Sequence, residues 1–159
     1  MTAYGMFFYY IPASDTKMYQ AVLNRIARYG LRLDGSVYLI NYATKKDIDI
    51  EVQQLKAKYN SICTVKFIKI DNASTAEVEA LAKEEATKVL ANIGASIQND
   101  LDKIEADEKK TAFSLRTKRK LESLNNVLVL FNMAQDFDLA LKTVAEIFML
   151  KCNKYLNTK

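Results

Sequence analysis

A chain of 159 residues, half of them apolar and only one a proline, is long enough to bury a real core and excludes a disordered composition. It contains no histidine, which excludes Ser-His and Cys-His nucleophile systems, imidazole metal sites and the commonest general base. The formal charge of +4 is unevenly spread: residues 109–120 hold six Lys/Arg and no Asp/Glu, while residues 75–108 hold three against nine.

No apolar run reaches the roughly 18 residues of a membrane span. Met1 to Tyr10 shows neither a basic leader nor a small-residue cleavage pattern. A cytoplasmic protein with no membrane role is expected, with Cys63 and Cys152 reduced and packed. Any enzyme here would depend on carboxylates, lysine or tyrosine, so a non-enzymatic protein without cofactor or metal is the leading expectation.

Met6 to Ile11 is apolar on both alternating faces, as a central strand should be, and Pro12 ends it. Ser14 and Asp15 are N-cap candidates for a helix whose apolar face is Met18, Val22, Ile26 and Tyr29, with Gly30 as its C′ residue. Two short apolar runs follow, Leu31 to Leu33 and Val37 to Ile40, with Asp34-Gly35 as the expected hairpin turn. A second helical stripe, Ile48, Val52, Leu55 and Tyr59, precedes an apolar strand from Cys63 to Ile70. The order strand, helix, strand, strand, helix, strand predicts an antiparallel four-stranded sheet backed by two helices. The expected class is α+β, with a ferredoxin-like βαββαβ domain over residues 1–73.

Over about residues 5–71, the run YYIPAS and the later RYGLRLDGSVYLIN resemble the ferredoxin-like domain of three related groups. These are the chromate-resistance regulators, the phenylacetate-pathway repressors and the small CRISPR-associated subunit that helps integrate spacers. The first two share a proline directly after the first strand, as Pro12 stands here. In the CRISPR group an aspartate closing that strand is the supposed metal ligand, and Ile11 and Pro12 occupy its place. The resemblance therefore implies no nuclease of that type; a metal-dependent nuclease using Asp15 or Asp71 is the least favoured expectation. The repressors also carry a winged-helix reader, which is not expected ahead of Tyr4. Chromate sensing follows only from the resemblance, and no cysteine pair or histidine is present to serve it.

Residues 74–159 are expected to form a helical hairpin or small bundle. Ser74 with Glu77 makes a capping-box signature, followed by the stripe Val78, Leu81, Leu90, Ile93, Ile97, Leu101 and Ile104. Its expected partner is Leu121, Leu124, Val127, Leu128 and Phe131. With no Gly or Pro to mark a reversal, a turn is placed between about Glu108 and Ser114, where Thr111 and Ser114 offer caps; a continuous rod is the alternative. A further break is expected near Asp136 to Asp138, ahead of the stripe Leu141, Val144, Phe148 and Cys152.

Lys109, Lys110, Arg116, Lys118, Arg119 and Lys120 would neutralise phosphates of DNA or RNA, with Arg28 and Arg32 around the hairpin as a second basic surface. The competing explanation is a solvated helix end answering Glu105, Asp107 and Glu108. Phe113 is the one aromatic inside the cluster. Leu124, Leu128, Phe148 and Leu150 are candidates for docking a protein partner. The leading expectation is a homodimeric regulator or scaffold contacting nucleic acid or a nucleoprotein; the alternative is a protein-interaction module with no nucleic-acid role.

Overall fold

The computed structural model describes residues 2–156. The first strand, β1 (Tyr4–Tyr10), leads through a turn to α1 (Thr16–Ile26), which begins where the Asp15 carboxylate accepts the Met18 amide at 3.2 Å. Met18, Val22 and Ile26 are buried along one face of this helix, as their spacing predicts.

Gly30 has a different job from the one expected. The helix closes at Ile26, and Gly30 opens β2 (Gly30–Asp34) without a left-handed backbone. A Cβ there would collide with the Leu39 carbonyl oxygen and approach Ile40 Cγ2 to 2.8 Å, so the glycine permits close strand approach. The hairpin is also shifted by one residue. Asp34 pairs with Val37 of β3 (Val37–Asn41), so the loop is Gly35-Ser36, and the left-handed demand falls on Gly35 alone, at φ +37°. An irregularity between Arg32 and Asp34 absorbs the shift.

A 3₁₀ turn over Tyr42–Thr44, held by the Asn41 side chain accepting the Ala43 amide at 3.0 Å, launches α2 (Lys45–Tyr59). That helix stops at Asn60, which is left-handed at φ 48°. Then β4 (Thr64–Lys69) completes an antiparallel four-stranded sheet of order β2-β3-β1-β4.

Phe7 and Tyr9 of β1, and Tyr38 and Ile40 of β3, pack with Met18, Val22 and Ile26 of α1 and Ile48, Val52 and Leu55 of α2. The two helices thus cover one face of the sheet. Burial pushes the Tyr38 phenol up to about 12, against the pull of the Arg32 guanidinium, and raises Tyr9 as well. A phenol that holds its proton more tightly when folded stabilises the fold below the unfolded value near 10. That contribution is lost as pH climbs from about 10 towards 12. Alkaline titration at 295 nm is therefore expected to show Tyr9 and Tyr38 ionising only together with unfolding.

The chain forms two compact units, Met1–Glu85 and Ala86–Lys159. A long helix, α3 (Thr75–Asp100), begins directly after the 3₁₀ turn Asn72–Ser74. In the second unit its later part joins α4 (Asp107–Leu130) and α5 (Ala134–Leu156). Gly94 lies beside Val144, and Lys151 Nζ reaches the Gln98 carbonyl and the Asp102 carboxylate, both at 2.8 Å. Ser114 meets Cys152 at 3.4 Å between Oγ and Sγ. The later part of α3 is therefore parallel to α5, with α4 antiparallel to both. Leu90, Ile93, Ile97 and Leu101 are buried in this unit, as are Leu124, Leu128, Phe131 and Phe137.

Both reversals sit earlier than expected. The first occupies residues 101–106, so Thr111 and Ser114 are inside α4 and cap nothing. Buried Leu101 anchors it, and Glu108 falls in the first turn of α4, where negative charge suits the helix dipole. The second lies at Phe131–Met133, ahead of Asp136. Asn132 is left-handed at φ 57°, Met133 N–H donates to the Leu128 carbonyl at 2.8 Å, and Asn132 N–H donates to Val129 at 3.1 Å. Those bonds, with Met133 and Leu128 both buried, form a Schellman cap. Asn132→Ala is expected to cost about 1 kcal/mol in urea unfolding and Asn132→Gly to cost nothing, because only the former adds left-handed strain.

Candidate nucleic-acid interface

The first half of α4 is poorly supplied with core positions. Only Thr117 is buried between Glu108 and Lys120, with Lys110, Phe113 and Ser114 half-buried. The remainder of that stretch faces solvent, which is why a run so rich in lysine and arginine can be helical there.

Helical spacing sorts the six basic residues. Lys109, Arg116 and Lys120 recur at intervals of seven and four on one flank, shared with Phe113. The Arg116 guanidinium lies 6.0 Å from the centre of the Phe113 ring, a contact that holds the arginine extended over an aromatic face. Lys118 belongs to the opposite flank, where its Nζ stands 4.0 Å from a Glu122 carboxylate oxygen one turn on. Both groups are about two-thirds exposed, so the pair restrains Lys118 little. Arg119 points away from the core, and Lys110 is half-buried. Among the described residues, Lys109, Arg119 and Lys120 make no ion pair.

Position along the helix matters as much as position around it. Cations in the first turn oppose the helix dipole by about 0.3–1 kcal/mol each. Lys109 and Lys110 are placed against that preference, in a helix whose N-terminal amides themselves attract anions.

Arg28 and Arg32 lie in the first unit and are held by different partners. Arg32 Nε donates to the Gly35 carbonyl at 2.8 Å and its Nη2 to the Tyr19 hydroxyl at 2.9 Å, tying the hairpin turn to α1. Arg28 Nη1 stands 3.8 Å from Glu51, which also takes Arg25 at 3.3 Å and the Tyr29 hydroxyl at 3.1 Å. Glu51 therefore fastens the end of α1 to α2, and burial followed by this carboxylate raises the Tyr29 phenol. Both arginines already hold polar partners, whereas Lys109 and Lys120 on the flank of α4 make no ion pair among the described residues.

Of the docking candidates, Leu124, Leu128 and Phe148 are buried core residues with no surface to offer, while Leu150 is 71% exposed. Asp15 caps α1, and Asp71 precedes the 3₁₀ turn before α3. No group of three or more metal-ligating side chains occurs among the described residues. Both cysteines are free, Cys63 buried and Cys152 half-buried.

One surface escaped the linear reading. The face of the sheet away from α1 and α2 carries Phe8 and Tyr10 of β1 beside Lys66 of β4. The strand register is the signal that groups them, and it does not exist until the strands are paired. No family model, no curated protein and no solved structure matches this chain.

Proposed function

We propose that this chain is a non-enzymatic regulator or scaffold that contacts nucleic acid, or a nucleoprotein, through the exposed basic flank of α4. The observation that carries this reading is the placement of Lys109, Arg116 and Lys120 on one solvent-facing flank, in a helix half with almost no core duty. The contact is electrostatic and directed at phosphates, so it attracts without reading bases. On this reading the first unit is a ferredoxin-like domain. The sheet order, taken from its other edge as 4-1-3-2 with every neighbour antiparallel, supports that assignment, as does the pair of helices on one face.

A cytoplasmic homodimer is part of the same proposal. The reduced cysteines favour that compartment, and no described helix is long and apolar enough to cross a membrane. The outer edge of β2 offers unpaired backbone groups to a second copy, and solution mass at two protein concentrations tests it. The nucleic-acid contact is tested by fluorescence anisotropy with labelled duplex and single-stranded DNA and RNA at two salt concentrations. Absence of binding at low salt defeats the proposal, as does binding that survives glutamine at all six basic positions of α4.

A further inference from the structure

Paired strands bring together side chains that are far apart in sequence. On the sheet face away from α1 and α2, Tyr10 stands opposite Thr64, Phe8 opposite Lys66 and Met6 opposite Ile68; Tyr4, Leu31 and Leu39 are buried on the same face, so it is its Tyr10 end that is open. Tyr10 is 67% exposed and Ile68 55%, Lys66 is exposed, and Phe8 is half-buried. Strands β1, β3 and β4 place no carboxylate on this face; Asp34, opposite Val37, is on β2, two strands from β1.

Two occupants compete for an aromatic face of this kind. A second copy would set Lys66 against identical strands β1, β3 and β4, which offer it no carboxylate on this face, leaving a desolvated cation on each side. A nucleic-acid strand suits the same features: its bases have ring faces for Phe8 and Tyr10, and its phosphates answer Lys66. Side chains two residues apart on a strand are about 7 Å apart, roughly twice the ~3.4 Å per nucleotide of a duplex strand. A chain lying along β1 must therefore be drawn out and unstacked, which a duplex is not.

We propose that Phe8, Tyr10 and Lys66 form a binding surface for single-stranded nucleic acid, with bases stacked on the two rings and a phosphate at the lysine. It shares only the class of ligand with the reading of α4 and rests on residues of the other unit. The chain has no tryptophan, so Tyr10→Trp supplies a lone indole reporter that keeps an aromatic ring in place. A dT oligonucleotide is expected to quench that indole, whereas a blunt DNA duplex of equal phosphate count is not. Tyr10→Ala, at an exposed position that the fold does not need, is expected to weaken oligonucleotide binding by about tenfold or more while leaving duplex binding unchanged.

Combining the reporter with glutamine at Lys109, Arg116 and Lys120 separates the two surfaces. Loss of duplex binding with quenching retained supports the sheet surface as an independent site. Oligonucleotide binding without quenching, or unaffected by Tyr10→Ala, overturns the sheet surface and leaves the α4 reading standing. A fluorescence change that follows protein concentration in the absence of oligonucleotide overturns it in favour of a second copy. Failure of wild-type protein to bind any nucleic acid at low salt overturns both.

Discussion

Replacing Lys109, Arg116 and Lys120 together by glutamine is expected to flatten the salt dependence of nucleic-acid binding. If each of the three neutralises one phosphate, together they supply about 2.7 units of the slope of log affinity against log salt. Wild-type protein then loses roughly 40-fold in duplex affinity from these contacts between about 50 and 200 mM salt, and the triple variant forgoes that part of the loss. Glutamine matches lysine and arginine closely in helix propensity, so α4 is expected to persist. Lys118→Gln provides the internal comparison: its Glu122 partner already offsets part of its charge, and it lies on the other flank, so its effect is expected to be smaller. A triple variant with the wild-type slope would mean that this flank is a solvated surface and nothing more.

The largest expected effect on stability comes from Phe7→Ala. Phe7 is fully buried at the centre of β1, paired with Tyr38 on one side and Phe67 on the other. Its ring lies 5.2 Å from that of Phe67, 5.8 Å from Tyr9 and 6.3 Å from Tyr38. Removing it withdraws the transfer free energy of the ring and leaves a void bounded by three other aromatics and two helices, which cannot collapse readily. A loss of about 3–5 kcal/mol is expected, comparable with the whole stability of many small domains. Phe7→Leu, which fills most of that space, is expected to cost clearly less. Urea unfolding followed by tyrosine fluorescence measures both, and a Phe7→Ala loss below about 1 kcal/mol would contradict the packing described here.

What could be read in advance follows from how local each signal is. The stripes Met18, Val22, Ile26 and Ile48, Val52, Leu55 announce α1 and α2 because large apolar residues recur within single helices, and all six are buried. In α3 the same method found Val78 and Leu90 but passed over Ala82 and Ala86, fully buried between them, because alanine stands out little in an apolar pattern. The second reversal was misplaced for a related reason. A search for Gly and Pro misses a helix that ends on asparagine, and Asn132 takes the left-handed conformation that stops α4. Gly30 was recognised as special but for the wrong constraint, since the close contact with Leu39 belongs to strand pairing.

The candidate surfaces divide along the same line. A run of lysine and arginine within twelve residues is visible in any linear reading, although its division between two flanks appears only with the start of α4 at Asp107. Arg28 and Arg32 looked equivalent to that run, but their partners Glu51, Gly35 and Tyr19 come from other elements. The grouping of Phe8, Tyr10 and Lys66 depends on a register between strands more than fifty residues apart, and so had no linear signature.

The most direct test of the α4 contact is an amide NMR titration of the isotopically labelled chain with an unlabelled DNA duplex at low salt. Shifts concentrated at Lys109 to Lys120 and reversed by added salt are the predicted result. A spectrum in which those amides stay fixed while the duplex binds elsewhere, or does not bind, would contradict it.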